Sequence, residues 1–114
     1  RITGRIRDMI IRGGENIYPK ELEDFLYTHP DVRDVQVVGV PDRQYGEEAC
    51  ACVIRREGSV ITSEELIEFT RDRLAKSKVP RYIVFVEGFP MNAAGKIQKH
   101  KLRLQMADHL GLTE

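Results

Sequence analysis

Apolar residues recur along this chain in two rhythms, and the changes of rhythm divide it into elements. In PKELEDFLYTH, Leu22, Phe25 and Leu26 fall at i, i+3 and i+4, which places one apolar stripe on a helix. Pro19 suits the first turn of that helix, and the His29-Pro30 step stops it. Thr62 and Glu65 form a capping box ahead of EELIEFTRDRLAKSK, where Leu66, Ile67, Thr70 and Leu74 keep helical spacing until Pro80 ends it. Leu102, Met106 and Leu110 recur every four residues and predict an amphipathic helix near the end of the chain. VRDVQVVGV (32–40), EACACVIRR (48–56) and RYIVFV are rich in β-formers or partly alternating, so they predict three strands. VPDRQYGEE, between the first two, reads as a loop from its Pro, Asp and Gly. Upstream, DMIIRGGENIYP holds two short apolar runs around Arg12-Gly13-Gly14-Glu15, a hairpin whose paired glycines accept the positive φ of a tight turn.

The order is hairpin, helix, strand, strand, helix, strand, helix. It predicts an α+β fold: a small two-layer sandwich with a mostly antiparallel three-stranded sheet flanked by helices, preceded by a two-stranded hairpin. A length of 114 residues allows one domain with one real core.

Composition narrows the classes of function. Eighteen basic and eighteen acidic residues cancel, so the whole-domain field draws in neither nucleic acid nor an anionic membrane. KIQKHKLR gathers Lys96, Lys99, His100, Lys101 and Arg103 into a local basic cluster, but no aromatic stacking platform accompanies it. Cys50 and Cys52 are one residue apart, which on a strand turns both to one face, where they cannot easily bridge each other. They read as two small buried apolar side chains, and a reducing, cytoplasmic compartment suits them. His29, His100 and His109 are scattered, so ligands at zinc-binding spacing are lacking. No signal peptide, lipidation motif or apolar run near about 18 residues is present, and a soluble domain is expected. The chain opens RITGRIRDM without an initiator Met or any lead-in, and is expected to be a fragment of something longer.

Three polar features remain once a core is assigned: GRIRD at the start, RGGEN in the hairpin turn, and AAGK near the end. Gly13 and Gly14 alone need only make a turn, and Arg5 and Arg7 need only be solvated. Lys96 is less easily dismissed. A cation at a helix start opposes the helix dipole, while a lysine after glycine on a loop is a reachable point charge for phosphate or carboxylate. No P-loop is formed, because Ile97 stands where Ser or Thr is needed and Gly88 lies two residues too far back.

Read together, GRIRDMIIRGGENIYPKELE, GVPDRQYGE and FPMNAAGKIQKHKLR resemble, in order and spacing, motifs of the C-terminal domain of the acyl-adenylate-forming enzymes. RGGENIYPKELE and GKIQKHKLR look most like medium-chain acyl-CoA synthetases. The resemblance implies a two-step ligase: a carboxylate attacks the α-phosphate of ATP, and coenzyme A then takes the acyl group. Mg2+ is expected with ATP but bound outside this stretch. It implies that Lys96 bridges carboxylate and α-phosphate as an electrostatic clamp, that Arg5 holds the ribose hydroxyls, and that the domain swings about a hinge at Arg7 and Asp8, within residues 1–8. The family usually has Asp or Lys where this chain has Arg7. Gly13, Gly14 and Glu15 would face the active site in the thioester step, Gly14 leaving room for the pantetheine arm. Pro90 to Lys96 fits PxxxxGK, a pattern at which acetyltransferases modify the lysine in bacterial relatives. The implied partners are the domain's own large N-terminal domain, ATP, coenzyme A, a carboxylic acid and a protein lysine acetyltransferase. The compartment is the cytoplasm, or the mitochondrial matrix in a eukaryote. A stand-alone ligand-binding or regulatory module is the competing expectation.

Overall fold

The computed structural model describes residues 9–112; Arg5, Arg7 and Asp8 lie outside them. Gly13 and Gly14 take φ of 58° and 89°, the two positive values that a type I′ turn requires. Strand β1 (Ile10–Arg12) therefore folds back on β2 (Glu15–Ile17), with Arg12 opposite Glu15. Pro19 opens helix α1 (Pro19–Leu26), whose stripe buries Leu22 and Leu26.

Strand β3 (Val32–Asp42) pairs antiparallel with β4 (Gly46–Arg55), and only residues 43–45 remain as the turn between them. The loop expected over VPDRQYGEE is thus much shorter than its composition suggests. Pro41 sits inside β3 because β3 is an edge strand, where a missing N–H leaves no ladder bond unmade. Helix α2 (Ser63–Arg71) begins at the expected capping box: the Thr62 side chain accepts from the Glu65 N–H at 3.2 Å and the Glu65 carboxylate accepts from the Thr62 N–H at 2.9 Å. It ends at Arg71, ahead of Leu74 and well short of Pro80.

The chain then returns to strand β5 (Tyr82–Phe85), which joins β4 in parallel. The sheet, in the order β3-β4-β5, is mostly antiparallel as expected, and the parallel pairing of β5 makes it mixed. Its layering exceeds the two-layer expectation, with helices on both faces. Val35, Val37, Ala49, Ala51, Val53 and Ile83 pack with α1, α2 and the hairpin isoleucines Ile10 and Ile17. The alternate positions Val38, Val40, Cys50 and Cys52 meet Leu102 and Met106 of helix α3 (Lys99–His109). The result is an α+β domain with helices on both faces of a three-stranded sheet.

The free edge of β3 is blocked. The Glu23 carboxylate of α1 accepts from the Val37 N–H at 2.9 Å and from the Lys99 ammonium at 2.7 Å, which ties α1, β3 and the start of α3 together. Among the described residues no helix is long and apolar enough to cross a membrane.

Candidate functional site

The Lys96 segment is built on one side chain. Asn92 Oδ1 accepts from the N–H groups of Ala94 and Lys96, both at 2.9 Å. The Asn92 N–H in turn donates to the Lys96 carbonyl at 2.9 Å, and the Gly95 N–H to the Asn92 carbonyl at 2.9 Å. Gly95 supplies the left-handed step with φ of 81°. A bridge between Met91 and Ile97 closes the base. The turn is rigid at its backbone while the Lys96 side chain is exposed, and its ammonium makes no hydrogen bond or ion pair among the described residues.

Helix α3 starts close behind, with no acidic residue in its first turn and no side-chain cap at Gln98. Cations there are disfavoured by the helix dipole, by about 0.3–1 kcal/mol each. Lys99 is compensated by Glu23 at 2.7 Å, whereas Lys96 projects its charge into solvent.

The hairpin carries the second candidate group. Its turn is exposed: a Cβ at Gly14 would meet nothing within 4 Å, and Glu15 points outward. Gly13 is tight, since a Cβ there would come within 2.9 Å of the Tyr45 ring. The Gly13 N–H donates to the Tyr45 carbonyl at 2.8 Å, and the Ile11 N–H to Glu47 Oε1 at 2.9 Å. Arg12 Nε donates to Glu48 Oε1 at 2.8 Å, and the guanidinium lies 3.9 Å from the centre of the Tyr45 ring. That hydrogen bond is the main reason the Arg12 pKa is held above its ordinary value.

Lys96 and the glycine turn are not brought together. The turn stands against Tyr45, which precedes β4, whereas Lys96 lies in the segment between β5 and α3, and the start of α3 is tied through Glu23 to Val37 of β3. A cleft of about 800 Å³ opens beside the hairpin, with Arg12, Tyr45, Glu48, Arg71, Leu74 and Arg81 among its walls. Arg12 and Arg71 are already held by Glu48 and Glu68, so Lys76 and Arg81 are the cations of these walls that suit a phosphate-bearing ligand.

Neither Asn92 nor the Arg12–Glu48 pair stands out in the sequence. An Asn that starts a turn and accepts from backbone N–H groups further along is a recognised local pattern, and could have marked position 92. Arg12 and Glu48 are 36 residues apart and carry no such local signal.

Residues 21–96 match the family described as AMP-binding enzyme C-terminal domain. The chain is 58% identical, over 98% of its length, to the mitochondrial medium-chain acyl-CoA ligase ACSF2 of Bos taurus, of which it covers 18%. A solved fatty acyl CoA synthetase from Mycobacterium tuberculosis superposes on 92% of the chain with a TM-score of 0.84 and 40% identity, and 21% of that protein is covered. ATP-bound MatB from Rhodopseudomonas palustris superposes on 93% with a TM-score of 0.86 and 37% identity, again with 21% covered. The chain thus spans about a fifth of the length of the relatives it matches.

Proposed function

Since this chain belongs to the AMP-binding enzyme C-terminal domain family, we propose that it serves a full-length acyl-CoA ligase as a swinging domain that presents Lys96 in one half-reaction and the glycine hairpin in the other. The observation that carries this reading is the separation of the two groups. Lys96 stands exposed on the turn ahead of α3, and the Gly13-Gly14 turn is a separate segment held against Tyr45, so a single reacting centre would meet one or the other according to how the domain is turned.

In the first half-reaction a carboxylate oxygen attacks the α-phosphate of ATP, forming acyl-adenylate and releasing pyrophosphate. Negative charge gathers on the reacting oxygens. The Lys96 ammonium, held on a turn whose backbone Asn92 fixes, offsets that charge as it develops. Acetylation of Lys96 would remove the charge and switch this step off. Arg5 would contact the ribose, and Arg7 with Asp8 would absorb the rotation between steps.

In the second half-reaction the thiol of coenzyme A attacks the acyl carbonyl and AMP leaves. The open side of Gly14 gives the pantetheine arm a path, Glu15 borders it, and Lys76 and Arg81 in the cleft next to the hairpin would take the phosphate-bearing end of the thiol substrate. Mg2+ would arrive with ATP and be held elsewhere in the enzyme; among the described residues no group of three or more His, Cys, Asp or Glu could hold a metal. The unbridged, buried Cys50 and Cys52 fit a reducing compartment, cytoplasm or mitochondrial matrix.

The test is exchange of labelled pyrophosphate into ATP by the full-length enzyme, screened across carboxylic acids of graded length. Exchange that requires the acid, with AMP as the nucleotide product, is expected. Acid-dependent formation of ADP, or exchange indifferent to every acid, would contradict the reading.

A further inference from the structure

A hairpin of two three-residue strands is too small to hold its own angle in water. Ile10 and Ile17 root its base in the core, being 2% and 1% exposed, but its tip beyond Ile11 needs other restraints. The tip is gripped at two points: the Gly13 N–H on the Tyr45 carbonyl, and Arg12 on Glu48.

The second grip is unusual in its chemistry. Glu48 is 3% exposed at residue level, one of two buried polar side chains among the described residues. Apolar residues in place of both Glu48 and Arg12 would often be neutral or stabilising to the fold. A carboxylate adds direction instead. Its oxygen holds Arg12 Nε at 2.8 Å while the Tyr45 ring lies against the guanidinium at 3.9 Å, so the last residue before the glycine turn is bracketed by a charge and by a plane. Arg12 is 23% exposed at its side chain and reaches Glu48 from the solvent side, which makes the hairpin the element that is positioned and β4 the element that positions it.

We propose that Glu48 is a positioning residue for thioester formation: acting through Arg12, it sets the angle at which the Gly13-Gly14 turn meets the incoming thiol. This rests on the role given to the hairpin above, and it concerns the second half-reaction alone. Lys96 is carried by a separate segment and does not depend on the pair.

The experiment follows both half-reactions in the full-length enzyme: acid-dependent pyrophosphate exchange, and single-turnover thioester formation from supplied acyl-adenylate over a range of coenzyme A concentrations. Glu48→Gln keeps an acceptor but loses the charge. Arg12→Leu with Glu48→Leu removes both charges, so no unpaired ion remains to unfold the domain. Both variants are expected to slow thioester formation about tenfold or more, as a misplaced positioning element does, with exchange within about twofold of the parent. The double variant is expected to melt no lower than the parent. Normal thioester rates in both variants would overturn the proposal, as would equal loss of both half-reactions. Gly14→Val is the control for the underlying reading. If it blocks thioester formation while Glu48→Gln does not, only the positioning role falls; if it leaves thioester formation intact, the hairpin's role falls and the positioning role with it.

Discussion

Replacing Asn92 by alanine tests whether the shape of the Lys96 turn, and not only the presence of the lysine, matters to adenylation. Four hydrogen bonds centre on Asn92, two through its backbone and two through its Oδ1, and alanine removes the latter pair. Each is worth about 0.5–1.5 kcal/mol net, and the exposed setting places them in the lower half of that range. A loss of about 1–2 kcal/mol shifts the ordered turn against its alternatives by about 5- to 30-fold. Adenylation by the full-length enzyme is expected to fall measurably and by at most about that factor, less than the 10²- to 10³-fold that loss of a charge-stabilising contact itself costs. Asn92→Ser, whose hydroxyl can accept in the same local pattern, is expected to recover most of the rate. The assay is acid-dependent pyrophosphate exchange at saturating ATP, with the melting temperature as control; the turn is exposed, so global stability is expected to change little. Full exchange activity in Asn92→Ala, or a serine variant no better than alanine, would refute the reasoning.

Other consequences concern the scaffold. Leu102→Ala opens a cavity between α3 and the sheet, where Leu102 is 1% exposed, and is expected to cost about 2–5 kcal/mol in a denaturant titration of the domain. Thr62→Ala breaks one half of the capping box and is expected to cost about 0.5–2 kcal/mol in the same titration, with Thr62→Ser close to the parent. Contact with the Cys52 thiol and burial together push the Cys50 pKa far above its ordinary range. Both thiols are also fully buried, so a thiol-specific reagent at mildly alkaline pH is expected to leave both cysteines unmodified in the native domain and to label both once it is unfolded.

Much of the fold is written locally. The i, i+3, i+4 stripe behind Pro19, the Thr62 to Glu65 box and the paired glycines each act within a few residues, and the corresponding elements stand where those signals place them. The direction of β5 is not local. YIVF carries no mark of parallel or antiparallel pairing; direction is set by the return of the chain through α2. The length of β3 and β4 was masked by Pro41, Asp42 and Gly46, which signal a loop unless the strand is known to be an edge. The continuous apolar runs VVGV and ACAC did hold a clue to the second helical face, since strands covered on both sides lose their polar alternation. At the site, Lys96 and the glycine turn are legible because chemistry and turn geometry need particular residue types there. Their supports are not equally so: Asn92 lies within its own turn, but the Arg12–Glu48 contact exists only once β1 has been laid beside β4.

The central claim is that one exposed ammonium serves one half-reaction only. Lys96→Ala in the full-length enzyme, followed through both half-reactions, addresses it most directly. Acid-dependent pyrophosphate exchange is expected to fall by about 10²-fold or more, while thioester formation from supplied acyl-adenylate stays near the parent rate. Equal loss of the two, or exchange that survives without the lysine, would contradict it.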